Sequence, residues 1–386
     1  MDLTETQKNA VEELHKRFKN DVSQEVYEDT LMFYKFLKAR NFNLNQAESM
    51  LRKHLTWRKV LQIDTIQTDY KPPEVCDKYL SQNFLGYDKE GSPLYMSAIG
   101  NTDSRGIFRS ANKLDILKSC LQVVEAGIHQ TKLQSKKLGK PVTQCVYIYD
   151  MDKFTLAKAT DRYSLEHFMI AVNMFQDNYP ELLKTIYVIN ASAYFTVAFP
   201  IIKAILANSI IGKMKIFGYD GWKEELLKTI DAAVLPVIYG GTRTDPDGNP
   251  QCNTIINWAG SVPEHYYLTK NTEKFAGKDD VKKVVIPRQS KFEVKVEVKQ
   301  PGSILEWEFE AQCYDIGFQI LLEQSNHHNE SEITEIIPMN KFETEYEPIK
   351  GRLKCKDQGI YVLVFDNTYS WFNSKEIFYR SRVVNT

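Results

Sequence analysis

The chain has 386 residues, which is enough for two or three domains that each bury their own core. Its apolar share of 43% and charged share of 26% are those of an ordinary globular protein. The 49 basic and 50 acidic side chains nearly cancel, which excludes the large positive field of a dedicated nucleic-acid binder, so no nucleic-acid partner is expected.

The first 74 residues are predicted to form a helical bundle. Thr4 and Gln7 have the spacing of a capping box, and apolar residues follow at helical spacing as far as Phe18. A further helix is predicted to begin at Asn43, with Gln46 three residues later. This pattern predicts an N-terminal helical region over residues 1–74.

Residues 75–242 alternate between strand and helix patterns. Short apolar runs predict strands at residues 144–149, 185–189 and 214–217, and helical stretches at 113–133 and 155–177 separate them. Strands with helix-length connections favour crossovers and a largely parallel sheet. The hairpin signal YDKEGSPLY before them predicts further strands at the edge of that sheet.

The stretch YFTVAFPIIKAILANSII, residues 194–211, is apolar enough to be considered as a membrane span. It falls just short of the roughly 20 residues that cross a bilayer, and Pro200 interrupts it. Lys203 near its middle would add about 3 kcal/mol to the cost of insertion. We therefore expect a helix that is buried or faces an apolar ligand or surface.

The end of the chain changes its pattern. Residues 243–280 contain Gly, Pro and Asp turn signals, such as TDPDGNP, and are predicted to be a linker. Within residues 281–386 the hydrophobic period is two, as in FEVKVEV and ILEWEFEA. Half-buried strands joined by turns predict an antiparallel β-sandwich.

Motifs of catalysis and metal binding are sparse. The sequence contains no G-x-G-x-x-G, G-x-x-x-x-G-K-[ST], H-E-x-x-H or G-x-S-x-G motif. Its six cysteines form no C-x-x-C pair, which favours free thiols over disulfides or a structural zinc site. His327 and His328 are best explained by a solvated turn. Asp150 and Asp152 follow a predicted strand, where they could act as acid and base or, more simply, complete a turn.

The sequence resembles the CRAL-TRIO (cellular retinaldehyde-binding and Trio) lipid-binding family, in its secretory phosphatidylinositol-transfer branch. The matching stretches are FLKARNFNLNQAESMLRKHLTWRK, QCVYIYDMD, FQDNYPELLKTIYVINAS and LPVIYGG, and the terminal FDNTYSWFNSKEIFYRSRV resembles the last strands of a GOLD (Golgi dynamics) domain. The resemblance implies an α/β lipid-binding domain (CRAL-TRIO) with an N-terminal helical bundle, followed by an all-β antiparallel sandwich (GOLD).

The resemblance also implies a mechanism. In the family, the sheet floors an apolar cavity and a long apolar helix closes it as a gate, which would explain residues 194–211. The alternative is an ordinary core helix. The side chains expected to close the pocket are Phe195, Phe199, Ile202, Ile205 and Leu206.

By position in the family, phosphatidylinositol binding falls to Arg40, Glu181 and Lys213. A phosphate suits a guanidinium and an ammonium, while a carboxylate accepts hydrogen bonds from inositol hydroxyls. Cys145 and Tyr147 are the pocket residues on the central strand, where phosphatidylcholine binders of the family carry serine and threonine. This departure argues against phosphatidylcholine as the ligand.

We therefore expect a lipid-binding and lipid-transfer protein, not an enzyme, with no cofactor apart from the bound lipid. The ligand would be a tocopherol, squalene, a retinoid or phosphatidylinositol. The expected location is the cytoplasm, with transient visits to membrane surfaces. Two alternatives remain, a vesicle-trafficking adaptor that binds a protein partner through the β-sandwich, and an enzyme that acts on a lipid near Asp150.

Overall fold

The computed structural model describes residues 3–19, 21–268, 275, 280–311, 315–325, 331–343, 348–371 and 373–384. The chain divides into two compact units. The first contains Met1–His54 and Ile63–Tyr267, and the second contains Leu55–Gln62 and Leu268–Thr386. The histidine pair His327 and His328, and Cys313, lie outside the described residues.

The N-terminal region is helical, as predicted. Its capping box is present, since the Gln7 N–H donates to Thr4 Oγ1 and the Thr4 N–H donates to Gln7 Oε1. The Gln46 N–H donates to Asn43 Oδ1 at 3.1 Å, at the start of the fourth helix. The α-helices of this region are α1 (Glu5–Arg17), α2 (Gln24–Glu28), α3 (Thr30–Lys38), α4 (Leu44–Leu61), α5 (Ile66–Asp69) and α6 (Glu74–Tyr79).

A five-stranded mixed sheet follows, with its strands in chain order. The strands are β1 (Asn83–Tyr87), β2 (Pro93–Ser97), β3 (Cys145–Asp150), β4 (Leu183–Ile189) and β5 (Met214–Ile216). β1 and β2 form the predicted edge hairpin, and the pairs β2–β3, β3–β4 and β4–β5 are parallel. The strands predicted from apolar runs are therefore confirmed, together with the parallel pairing that their helical connections favoured.

Helices connect the strands of this sheet and follow its last strand. They are α7 (Ser104–Ser110), α8 (Lys113–Leu138), α9 (Leu156–Thr160), α10 (Arg162–Asn178), α11 (Ala193–Ile205), α12 (Asn208–Ile211) and α13 (Trp222–Thr229). The helical stretch predicted at 155–177 is thus two helices, with Asp161 extended between them. None of the helices among the described residues combines the length and apolarity needed to span a membrane.

The apolar stretch 194–211 does not form one continuous helix. α11 ends at Ile205, and Leu206 and Ala207 are extended before α12 begins. The side-chain amide of Gln176 in α10 satisfies the break, because it donates to the Ile205 carbonyl and accepts from the Ala207 N–H. Leu206 therefore caps the predicted gate helix and is not part of it.

The two faces of the sheet carry different clusters, because alternate residues of a strand point to opposite sides. Val146 and Ile148 of β3 pack in one cluster with Trp222 and Leu226 of α13. Tyr147 and Tyr149 belong to the other cluster, which includes Phe195 of α11. The face with the tyrosines is the one expected to hold a ligand.

Part of the segment predicted as a linker contributes to the first unit. Cys252 and Ile256 are buried in the cluster around Trp222. Asp245 is also buried, and its carboxylate accepts hydrogen bonds from the Thr254 N–H and hydroxyl. The turn-forming residues that suggested a linker therefore lie, as far as Tyr267, in a segment that belongs to the first unit.

The second unit contains two four-stranded antiparallel sheets, which confirms the predicted sandwich. Their orders are β10-β9-β12-β7 and β11-β8-β13-β6. The strands are β6 (Lys282–Ile286), β7 (Lys291–Val298), β8 (Ile304–Ala311), β9 (Asp315–Ser325), β10 (Ser331–Glu343), β11 (Ile349–Lys354), β12 (Gly359–Asp366) and β13 (Lys375–Val384). Phe309, Phe318 and Phe365 meet in the core that both sheets share.

Candidate functional site

Three tyrosines line one face of the sheet in the first unit. Tyr95 of β2 stacks on Tyr147 of β3 with ring centroids 5.9 Å apart, and Tyr149 follows at 6.1 Å from Tyr147. Gly127 of α8 lies over this face, since a Cβ placed there would be 3.3 Å from both Cys145 and the Tyr95 ring. The predicted pocket residues Cys145 and Tyr147 thus lie between the central strand and the helices that cover it.

Side chains on this covered face are largely shielded from solvent. Burial raises the pKa of Tyr149 to about 12 and that of the Cys120 thiol to about 11, so both groups are removed from bulk water. Both side chains nevertheless keep an intermediate accessible surface, as does Tyr147. Cys145, in contrast, is fully buried, and burial raises its pKa to about 12.

Helix α11 presents apolar residues on two sides. Phe195 is 5% exposed and packs with Leu183, Ile186 and Val188 of β4, together with the partly buried Phe199 and Ile202. Ile205 and Leu206 are also partly buried. The opposite side carries Tyr194, Val197 and Ile201, which are 48%, 50% and 48% exposed. A surface helix of a soluble protein usually carries polar residues on the side that faces solvent.

Glu181 is the centre of a small ionic cluster. Its Oε2 lies 2.8 Å from Lys38 Nζ and 3.9 Å from Lys213 Nζ. Lys213 Nζ also donates to the Leu183 carbonyl at 2.8 Å. The structure thus brings together two of the three predicted head-group residues, Glu181 and Lys213. Arg40, the third, donates to the Ala39 carbonyl, and none of its described contacts is with Glu181.

Two lysines near this cluster were not predicted. Lys38 pairs with Glu181, and Lys35, one turn earlier in α3, donates to the Thr143 carbonyl at 3.2 Å. Burial lowers the pKa of Lys35 below its ordinary value, against the raising influence of nearby acids that include Glu181. The sequence feature that could have indicated them is the run of basic residues at 35, 38 and 40. The family pattern indicates only the last of these three.

Asp150 completes a turn at the end of β3. Its Oδ1 accepts from the Asp152 N–H at 2.9 Å and from Asn190 Nδ2 at 2.8 Å, and its Oδ2 accepts from the Tyr239 hydroxyl at 2.7 Å. A carboxylate with both oxygens occupied in this way serves the fold, which favours the turn interpretation over the acid–base one. Among the described residues no group of histidine, cysteine and acidic side chains could hold a metal ion.

Known proteins resemble this chain in both regions. The description CRAL/TRIO domain matches residues 77–241, and the description Golgi-dynamics membrane-trafficking matches residues 323–384. The protein ctg-1 of Caenorhabditis elegans is 30% identical over 350 residues, which cover 90% of each chain. The protein real-time of Aedes aegypti is 26% identical over 386 residues, and the chain spans 95% of its own length but 58% of that relative.

A solved structure shares the fold of about two thirds of this chain. The crystal structure of Sfh5 superposes with a TM-score of 0.52 at 17% sequence identity, covering 65% of this chain and 92% of that one. At this identity the likeness shows the fold alone.

The helical region, the mixed sheet with its covered tyrosine face and the following sandwich define a lipid-binding protein of the CRAL-TRIO type. The chain belongs to the CRAL/TRIO family and carries a GOLD region after its CRAL/TRIO domain. Proteins of this family are generally non-enzymatic transfer proteins. Family and fold together support lipid binding and transfer in general terms.

Proposed function

We propose that this protein carries one lipid against the tyrosine face of its sheet and exchanges it at membranes by moving α11. The observation that carries the proposal is the composition of α11, which is apolar towards the sheet and apolar towards solvent. A helix that alternately covers a pocket and contacts a bilayer needs apolar residues on both sides. The bound lipid takes the place of any cofactor.

The outer side of α11 is suited to a lipid surface. Tyr194, Val197 and Ile201 lie at helical spacing, and burial of each would contribute roughly 1 kcal/mol or more to membrane binding. Leu156 of α9 and Met169 of α10 are also exposed, and both helices pack against α11. Together these five residues, the outer apolar surface, form the membrane-contacting surface in our proposal.

The inner side closes the pocket. Phe195, Phe199, Ile202, Ile205 and Leu206 would meet the ligand or the sheet when α11 is closed. Tyr147 contributes to the floor, and the fully buried Cys145 lies on the same strand face. The tyrosine rings offer flat apolar surface with hydroxyls at their edge. Such a floor accepts an extended apolar ligand, such as a tocopherol, squalene or a retinoid.

Phosphatidylinositol is the other ligand that the site supports. Lys38 and Lys213 supply two ammonium groups for a phosphate, and Glu181 can accept hydrogen bonds from ring hydroxyls. Arg40 belongs to this head-group site in our proposal through its place in the family pattern. The partly buried Lys35 adds positive charge beneath it.

Mass spectrometry of the intact purified protein under native conditions tests the proposal. We expect a bound lipid to leave with the protein, and its fragmentation pattern would name its class. An empty chain that still recruits a protein partner would favour the second candidate, a trafficking adaptor. That candidate is supported by the GOLD region at residues 323–384.

The site of action in this proposal is the cytoplasm, with transient binding to membranes. Cell fractionation is the corresponding measurement. We expect the protein in the soluble fraction, with a minor membrane share that salt or alkaline carbonate removes. Membrane association that resists alkali would contradict a transient contact.

A further inference from the structure

A concave site lies away from the tyrosine face, at the carboxyl ends of β3 and β4. Its volume is about 500 Å³, and Asp152, Lys153 and Asn190 lie on the side of the strand ends. Gln251, Asn253 and Trp258 also line it. We call it the strand-end cleft. Ligands of open α/β sheets bind outside the carboxyl ends of the strands, and the volume is in the usual range for small-molecule sites.

The cleft offers polar groups that the protein does not use itself. Asp152, Lys153, Gln251 and Asn253 are exposed, and within the described part of the chain their side chains make no hydrogen bond or ion pair. Asn190 donates through Nδ2 to Asp150, which leaves its Oδ1 as an acceptor. The available groups are therefore mainly amides, which both donate and accept hydrogen bonds.

The cleft contains few charged groups. Asp150 lies at its base, but three donors, Asp152 N–H, Asn190 Nδ2 and the Tyr239 hydroxyl, occupy that carboxylate. The remaining charged groups are one carboxylate, Asp152, and one ammonium, Lys153. A single lysine beside two acids disfavours a phosphorylated ligand, and the Lys153 ammonium next to Asp152 disfavours an organic cation.

An indole forms one wall of the cleft and is held in place. Trp258 Nε1 donates to the Gln251 carbonyl at 3.3 Å, and the Trp258 carbonyl accepts from Asn101 Nδ2 at 2.7 Å. The ring lies across from Tyr239, with centroids 6.1 Å apart. A fixed aromatic wall beside amide and carboxylate groups suits a ligand with apolar C–H faces and hydroxyl edges.

Backbone strain coincides with these groups. Lys153 and Asn190 both have left-handed backbone conformations, with φ of 64° and 55°. For a lysine this conformation is strained, and such strain concentrates at binding sites. Both residues line the cleft.

We propose that the strand-end cleft binds a neutral polyhydroxylated molecule of the size of a hexose or a disaccharide. Vicinal hydroxyls would bridge the Asp152 carboxylate and the amides of Asn253 and Gln251, and the ring would lie against Trp258. This site is separate from the lipid pocket and does not depend on the proposed lipid transfer.

Saturation-transfer NMR on the full chain tests the site, with glucose, mannose, galactose and maltose each at about 10 mM, a concentration suited to affinities of about 1 mM. We expect saturation transfer to at least one of these sugars. In Asp152→Ala/Asn253→Ala the affinity should fall at least about tenfold, as for the loss of one or two hydrogen bonds. The fold should persist in this variant because both residues are exposed. The same measurement is made on the single variants Asp152→Ala and Asn253→Ala.

Asp247→Ala is the matched control, since Asp247 is an exposed acid on a neighbouring turn and does not line the cleft. It should bind as the unchanged protein does, and all variants should keep their lipid uptake. Absence of saturation transfer for every sugar, or equal transfer in the double variant, would overturn the proposal. So would tighter binding of glucose 6-phosphate than glucose, or of choline than any sugar, because either ligand would show that the cleft selects a charge.

Discussion

Lys38 Nζ lies 2.8 Å from Glu181 Oε2, and this ion pair ties helix α3 to the turn that precedes β4. Glu181 is partly buried and has a left-handed backbone, with φ of 58°. Its carboxylate also faces Lys213, so it holds two ammonium groups close together that would otherwise repel each other. In the proposed head-group site these two ammonium groups would bind the phosphate.

The first prediction concerns these two lysines. Lys38→Ala and Lys213→Ala should each weaken phosphatidylinositol transfer by about 1.5–3 kcal/mol, the range for a hydrogen bond to a charged group. Uptake of an apolar ligand such as squalene should change little. Vesicle assays with each lipid measure the effect, and Lys215→Ala, which removes a lysine paired with Glu225, is the matched control.

Arg40→Ala distinguishes the family position from the observed pair. We expect Arg40→Ala to weaken phosphatidylinositol transfer as much as Lys38→Ala does, because Arg40 would contact the head group in the bound state. Intact transfer by Arg40→Ala would remove Arg40 from the proposed head-group site. An equal loss of phosphatidylinositol transfer and of apolar-ligand uptake in any of these variants would show that the residue stabilises the fold and does not bind the head group.

The second prediction concerns Lys35, whose pKa burial lowers. A lysine with a lower pKa in the folded state destabilises the fold at neutral pH, and this penalty disappears only as the pH rises from the folded pKa towards the ordinary 10.5. Lys35→Met should therefore raise the melting temperature of the lipid-free protein at pH 7. It should also reduce transfer of anionic lipid.

The neighbouring Lys132, which is exposed, provides the control for Lys35. Lys132→Met should leave the melting temperature nearly unchanged. At alkaline pH the stability difference between Lys35→Met and the unchanged protein should shrink, and melting curves across pH 7 to 10.5 measure this trend. A lower melting temperature for Lys35→Met at pH 7 would contradict the assigned cost of burial.

The third prediction is a pH dependence carried by Glu225 of α13. Lys215 and Lys228 donate to its carboxylate at 2.7 and 2.6 Å, and these bonds lower its pKa to about 2. A depressed pKa stabilises the fold fully above the ordinary value of 4.5, and the contribution is lost as the pH falls towards 2.

Glu225→Gln should remove that dependence. Urea unfolding between pH 2 and 5 should give a shallower loss of stability for the variant than for the unchanged protein. Glu224→Gln is the matched control, because Glu224 is an exposed acid one position earlier in the same helix. Identical pH profiles for Glu225→Gln and the unchanged protein would mean that the two ion pairs contribute nothing measurable to stability.

Local signals in the sequence were sufficient for much of the fold. The capping residues Thr4 and Asn43, the apolar runs of β3 and β4 and the period-two strands of the sandwich are all encoded within a few neighbouring residues. The end of α11 is not, because the amide that stabilises the break belongs to Gln176 in another helix. A pattern within 194–211 alone cannot contain that information.

The candidate site was predictable in part for the same reason. Glu181 and Lys213 could be taken from the family pattern, and the structure places them 3.9 Å apart. Lys38 could not be chosen over Arg40 from spacing alone, because the choice depends on which side of α3 faces the turn before β4. The strand-end cleft depends on residues 251–258 folding back against Asn101 and Asp150, which is tertiary contact without a local signal.

The last prediction separates a gate from a core helix by changing each side of α11. Val197→Asp alters the outer side, where the residue is 50% exposed, so the fold and lipid retention should be unaffected. Transfer between vesicles should fall about tenfold or more, because a carboxylate at the bilayer surface opposes insertion. Ile205→Asp alters the inner side and should reduce both lipid loading and transfer, since an unpaired charge would face the ligand.

Thermal melting of the lipid-stripped variants completes the comparison. A mobile gate contributes less to the core than a central helix, so Ile205→Asp should lower the melting temperature only modestly. For transfer between vesicles, Val237→Asp is the control for Val197→Asp. Val237 is also an exposed valine of the first unit but lies outside the outer apolar surface, so Val237→Asp should leave transfer unchanged. Normal transfer by a folded Val197→Asp protein would contradict the proposed membrane contact of the outer side of α11. Collapse of the fold in Ile205→Asp would show that α11 is a core helix.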